Sequence, residues 1–188
     1  MNNEFNKHKQ HSEYLSQKYV VPFLNKQLKI KYPNLNCFVG TVESLGESFA
    51  NLLDMNAGVD LYYKNDSNIY FIAQRISERP CTNRFILRYR TALGGKTEFE
   101  KRISAMEHNA IRPTWNMHTY IDGNQLTIGI VNSDKLFKYL KQQNDNGSLY
   151  IGNDYDGSYY CGMSWNELNN YGIKVTVFKQ YINEMESI

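Results

Sequence analysis

From Lys9 to about Leu28 the apolar residues Tyr14, Leu15, Val20, Val21, Phe23, Leu24 and Leu28 recur at roughly helical spacing. The pattern predicts a helix. Pro22 inside it predicts a kink or a split, because proline has no N–H to donate and its ring crowds the preceding turn. Pro33 ends the run. Cys37 to Val42 reads as a short buried strand. Glu43 to Met55 reads as a second helix with Leu45, Phe49, Leu52 and Leu53 turned inward, closed by Asn56 and Gly58.

The pattern then changes period. Val59 to Lys64 and Ile69 to Ser77 are strand-like runs joined by Asn65-Asp66-Ser67-Asn68, which predicts a β-hairpin. A third strand, Arg84 to Arg90, follows the Pro80 loop; Phe85, Leu87 and Tyr89 alternate with Arg84, Ile86, Arg88 and Arg90, so one face is wetter and basic. Thr97-Glu98-Phe99-Glu100 is a capping-box pattern opening a helix to about Asn109. Met117 to Ile121 and Gln125 to Val131 flank Asp122-Gly123 as a second hairpin, and Ser133 caps a helix through Leu140. Small strands near Tyr150 and Tyr159, a short helix opened by Ser164 with Glu167 three residues later, and a strand from Ile173 to Phe178 complete the chain. The fold class is α+β.

At 188 residues and 41% hydrophobic content, one core and one domain over residues 1–188 are expected. No run reaches the roughly 18 apolar residues of a membrane span, and the polar segment Met1 to Gln10 lacks a signal-peptide core, so a cytoplasmic location without a membrane partner is expected. Cys37, Cys81 and Cys161 are odd in number and far apart, which fits buried thiols better than disulfides or a metal knuckle. Charge is uneven. Residues 75 to 102 hold eight Lys/Arg against three acids, a potential polyanion footprint, while residues 144 to 188 hold six acids and two lysines, a potential site for a protein partner.

The hairpin brings the first candidate chemistry together. With Asn65 to Asn68 as the loop, Asp60 lies across from Ala73, and Arg75 is its diagonal neighbour on the same face, roughly 7–8 Å away at the backbone. Gln74 points the other way unless a bulge intervenes. Such an acid and cation suit a metal-binding carboxylate beside a phosphate-neutralising cation, and equally an ordinary cross-strand salt bridge.

The order helix, three antiparallel strands, helix, strand over residues 9–121, with Gly58-Val59-Asp60-Leu61 as a Gly-x-Asp strand, resembles the core of the PD-(D/E)XK nuclease superfamily. The resemblance implies a restriction-endonuclease-like core, with residues 122–188 as a β-rich C-terminal extension packed on it. It implies a metal-dependent phosphodiesterase of DNA metabolism or defence, using Mg²⁺ or Mn²⁺. The family's acid, spacer, lysine and helix glutamate map to Ala73, Gln74, Arg75 and Glu13. Alanine at 73 leaves the metal shell a ligand short; the second acid is then sought among Glu13, Glu47 and Glu98. Arginine at 75 is always charged and cannot act as a base, though it can clamp a phosphate. Two readings stay open: a divergent nuclease with Asp60 as metal ligand, or a nuclease-like protein that binds without cleaving, such as a regulator or inhibitor carried by a phage or mobile element. Nucleic acid, DNA before RNA, is the expected partner, and a homodimer is a further expectation from the resemblance.

Arg84, Arg88, Arg90, Lys96, Lys101 and Arg102, with Tyr89, are the expected phosphate contacts. Gly94-Gly95-Lys96-Thr97 lacks the spacing and the βαβ context of a nucleotide-binding P-loop. His8, His11, His108 and His118 lack zinc spacing, and Cys161 has no neighbouring base to make it a nucleophile. The tail tyrosines Tyr150, Tyr155, Tyr159, Tyr160 and Tyr171 offer either a recognition surface or a cap on the sheet.

Overall fold

A computed structural model describes residues 2–53, 57–90, 97–153 and 157–184. The predicted first helix forms as α1 (Asn2–Leu15) and α2 (Val21–Lys31), joined without a break by a π-helical turn, Ser16–Val20. Pro22 explains that turn: it sits in the first turn of α2, and the Val21 N–H reaches back five residues to the Ser16 carbonyl. The second predicted helix is shorter, a 3₁₀ turn Val42–Leu45 followed by α3 (Glu47–Leu52). Leu53 and Ala50 face inward, but Phe49 and Leu52, expected inside, are 43% and 51% exposed. Its proposed end at Met55 and Asn56 lies outside the described residues.

Among the described residues nine strands build two sheets. The larger has the order β1-β2-β3-β5-β6-β9, from β1 (Phe38–Thr41), β2 (Leu61–Lys64), β3 (Ile69–Ser77), β5 (Trp115–Asp122), β6 (Gln125–Asn132) and β9 (Thr176–Tyr181). The smaller has the order β4-β8-β7, from β4 (Arg84–Arg90), β8 (Tyr159–Ser164) and β7 (Ile151–Asn153). The hairpin register is the expected one: Leu61 faces Ile72, Lys64 faces Ile69, and the Asn65 N–H closes the loop on the Asn68 carbonyl. The antiparallel meander, however, is β1-β2-β3, not β2-β3-β4. β5 takes the free edge of β3, parallel to it, after α4 (Glu98–Glu107) crosses over.

A physical reason for that exchange lies in the side chains. The place beside β3 is buried on both faces, since residues 116–121 of β5, which fills it, are all buried. β4 alternates buried Phe85 and Leu87 with exposed Arg84 and Arg88, as expected, so it suits a sheet with one wet face. It therefore pairs with β8, Leu87 opposite Cys161 and Arg88 opposite Tyr160.

The six-stranded sheet separates two apolar layers. Leu15, Val20, Phe23 and Leu24 of the N-terminal helices pack on Leu61, Ile72, Met117, Leu126 and Ile128. On the other side Phe85, Leu87, Cys161 and Met163 meet Tyr120, Val131, Phe99 of α4, and Phe137 and Leu140 of α5 (Ser133–Asp145). Local caps follow the sequence closely. Thr97 and Glu100 make the reciprocal capping box of α4, and Ser164 accepts from the Glu167 N–H to open α6 (Trp165–Asn170). Asn132, one residue before the expected Ser133, caps α5. Gly123 and Asn124 turn the β5-β6 hairpin. Among the described residues no helix is long and apolar enough to cross a membrane.

Gly129 in β6 lets the Trp165 ring lie directly on the sheet, since a Cβ there would stand 2.4 Å from it. Trp165 is buried against Phe85 and Tyr120, so it has little room to yield. Gly129→Ala is expected to destabilise the fold by about 1–3 kcal/mol in urea unfolding; an unchanged midpoint would mean the indole swings aside freely.

Candidate active site

Asp60 sits one residue before β2, where its N–H still donates to the Ile72 carbonyl at 3.0 Å and its own carbonyl accepts from the Val42 N–H at 3.1 Å. Its carboxylate accepts from the Gln74 backbone N–H at 2.6 Å, a charge-assisted bond that fixes it beside β3. Around it lies an open pocket of about 190 Å³ lined by Gly58, Asp60, Gln74, Glu98, Lys101 and Arg102. Helix α4 supplies three of these. Glu98 and Lys101 are one turn apart, the spacing at which two side chains share a helix face.

Arg102 is the corner of the arrangement. Expected among the surface cations, it is only 2% exposed, and its guanidinium donates to the Gly58 carbonyl at 2.6 Å. Its Nε has no hydrogen-bond partner among the described residues. Burial pulls its pKa below the ordinary value, while Glu98 and then Asp60 support the charged form. Gly58 has φ of +52°, and a side chain there would begin 3.1 Å from the Arg102 guanidinium. Both the left-handed backbone and the close cation demand glycine. The buried position was legible in part: Arg102 follows Phe99 by three residues and precedes Ala105 by three, on the inward stripe of α4.

The other expected site residues scatter. Glu13 is half-exposed on α1, 3.9 Å from Lys9, and does not line the pocket. Ser16, one turn further on, reaches β3, donating to Gln74 Oε1 at 3.0 Å. Nothing in the sequence singled Ser16 out beyond its place beside Leu15. The Glu47 side chain and Lys96, with the Gly94-Gly95 turn, lie outside the described residues. Arg75 is not among the pocket residues; it pairs in register with His118 of β5. Burial pulls the Arg75 guanidinium down, Glu98 pushes it up, and Arg88 and then Arg79 pull it down further. Of the three acids considered as a second ligand, Glu98 is the one the described pocket contains.

Behind Arg75, His118 is held neutral. Its Nδ1 accepts from the Ile86 N–H at 3.3 Å, so the ring proton is on Nε2 and donates to Ser77 Oγ at 2.9 Å. The ring stacks on Tyr120 with centroids 4.3 Å apart. Burial, with Arg75 and Arg79 nearby, pushes its pKa down to about 3. Cys161 is fully buried and its thiol is pushed up to about 12 by burial, which suits core packing and not nucleophilic attack.

Among the described residues no three His, Cys, Asp or Glu side chains converge as a ligand group. Two carboxylates in an open pocket nevertheless fit a hard divalent cation, since Mg²⁺ keeps several waters and takes one or two carboxylates. No protein-family model and no curated protein matches the chain.

Two outcomes check this geometry. His118 excludes the proton that an unfolded chain takes up below its ordinary pKa of 6.5. Its contribution is therefore nil above that pH, and the fold loses roughly 2 kcal/mol from this group between pH 7 and pH 5. His118→Gln, which keeps a donor and an acceptor but cannot titrate, should lose less over that interval in urea unfolding; equal losses would refute the buried neutral ring. For the cysteines, Ellman's reagent should titrate the half-buried Cys37 and Cys81 in the native protein and Cys161 only after unfolding.

Proposed function

We propose that the protein is a metal-dependent phosphodiesterase acting on nucleic acid, with Asp60 and Glu98 as the carboxylates that hold Mg²⁺ or Mn²⁺. The observation that carries the reading is the convergence of Asp60, Glu98 and Lys101 on one open pocket beside the β3-α4-β5 crossover. The sheet arrangement also supports a restriction-endonuclease-like core: the N-terminal helices, the antiparallel strands β1-β2-β3, and a strand β5 parallel to β3, with α4 in the connection between them and α3 and β4 as additions. In such a site a bound divalent ion polarises a phosphoryl oxygen and lowers the pKa of water.

The chain's own residues divide the remaining work. The Gln74 N–H orients the Asp60 carboxylate, and the buried Arg102 guanidinium is electrostatically coupled to Glu98 and Asp60. Lys101 supplies the amine that the arginine at position 75 cannot, orienting the attacking water or neutralising the phosphate. Arg75, electrostatically coupled to Glu98 and Arg88, adds positive charge where the scissile phosphate approaches.

A rival reading is a nuclease-like protein that binds without cutting. Arg102 favours it, because one buried guanidinium already compensates both carboxylates and lessens their need for a cation. Cleavage of labelled single-stranded, duplex and branched DNA and of RNA, with Mg²⁺ or Mn²⁺, separates the two. Asp60→Asn and Glu98→Gln should each lower the rate by about 100-fold or more, and Lys101→Met by roughly 10²–10⁴-fold. Absence of metal-dependent cutting in the wild type, with binding retained, would establish the rival.

A further inference from the structure

The small sheet stands with an edge toward the large one. Its Ile86 N–H reaches His118, and the Tyr120 hydroxyl donates to the Arg84 carbonyl at 2.7 Å. One face, with Phe85, Leu87, Cys161 and Met163, is core. The other carries Arg84 and Arg88, both exposed, and Tyr160, which lies opposite Arg88. Among the described residues no ion pair engages Arg79, Arg84, Arg88 or Arg90. Arg79 and Arg88 act electrostatically on the half-buried Arg75, so like charges crowd this corner. Such crowding is unfavourable in the free protein and favourable when a polyanion lies across it.

Aromatic surface interleaves the cations. The Arg84 guanidinium lies 5.7 Å from the centroid of the Tyr150 ring, which is 59% exposed. The Tyr160 ring lies across Gly152, close enough that a Cβ there would begin 3.0 Å from it. Gly162, opposite Ile86 and two residues along β8 from Tyr160, presents no side chain of its own. The face also connects to the pocket: the Thr97 hydroxyl donates to the Tyr89 carbonyl at 3.0 Å, tying the end of β4 to the start of α4, and Glu98 follows.

Resting on the reading of the Asp60 pocket given above, we infer that this face is a single-strand platform. Phosphates of a single-stranded nucleic acid lie on Arg84, Arg88 and Arg79 while its bases stack on Tyr160 and Tyr150, and the strand is thereby led toward Asp60 and Glu98. A duplex hides its base faces and would leave both rings unused; a single strand satisfies cations and rings together.

The test is fluorescence anisotropy with labelled oligo(dT) and oligo(U) of about a dozen nucleotides and a duplex of equal length. The full chain is used in EDTA, so that binding is read without cleavage. Single strands should bind about tenfold or more tightly than the duplex. Tyr160→Leu and Tyr150→Leu should each weaken binding by about 5-fold or more. Arg84→Ser and Arg88→Ser should each lower the slope of log affinity against log salt by about 0.7. Either sugar supports the inference, and the tighter of the two names the ligand. Equal duplex affinity, or unchanged affinity in tyrosine variants whose thermal melting matches the wild type, would overturn it. Because no metal is present, failure of cleavage elsewhere leaves this result standing, and cleavage without these effects would remove the platform alone.

Discussion

The structure of the site hangs on one buried guanidinium. Arg102 is held in the interior by the Gly58 carbonyl and by the charges of Glu98 and Asp60. An unpaired buried cation would be strongly destabilising, so α4 is constrained to stand where Arg102 can reach the Gly58-to-Asp60 corner. Once that is satisfied, the helix face bearing Glu98 and Lys101 has no choice but to look toward Asp60. The left-handed conformation at Gly58 and the capping box at Thr97 serve the same constraint from the two ends, one by admitting the guanidinium, the other by starting the helix at Glu98.

A second consequence follows from the sheets. The place that β5 takes beside β3 is buried on both faces, and a strand with arginine at alternate positions does not suit it. β4 is displaced into a second sheet, with its charged face exposed and its end tied to α4. Asp60 and Glu98 lie at the α4 corner with Lys101 and Arg102, Arg84 and Arg88 lie exposed along β4, and Arg75 is electrostatically coupled to Glu98, Arg88 and Arg79.

Comparison of sequence and structure divides along contact range. Signals that act within a few residues were readable: the Asn65 to Asn68 turn and its register, the caps at Thr97 and Ser164, the alternation along β4, and the disturbance at Pro22, whose form as a π turn was not. Glu98 was readable as one of three candidate acids, though not as the one in the pocket. Arg102 was misread because a lysine or arginine in a basic segment is ordinarily on the surface, even though its spacing from Phe99 and Ala105 marked the inward stripe.

By itself, then, the sequence determined the α+β class, the hairpin that positions Asp60, the start of α4 and the basic character of one strand face, since hydrophobic period, turn chemistry and capping are written in neighbouring residues. Tertiary structure alone decided that β5 and not β4 lies beside β3, that Ser16 meets β3, and that Lys101 and Glu98 share a pocket with Asp60. Those pairings join residues tens of positions apart. They are chosen by competition among strands for a doubly buried place and by the need of one buried cation for partners, and neither competition has a local signature.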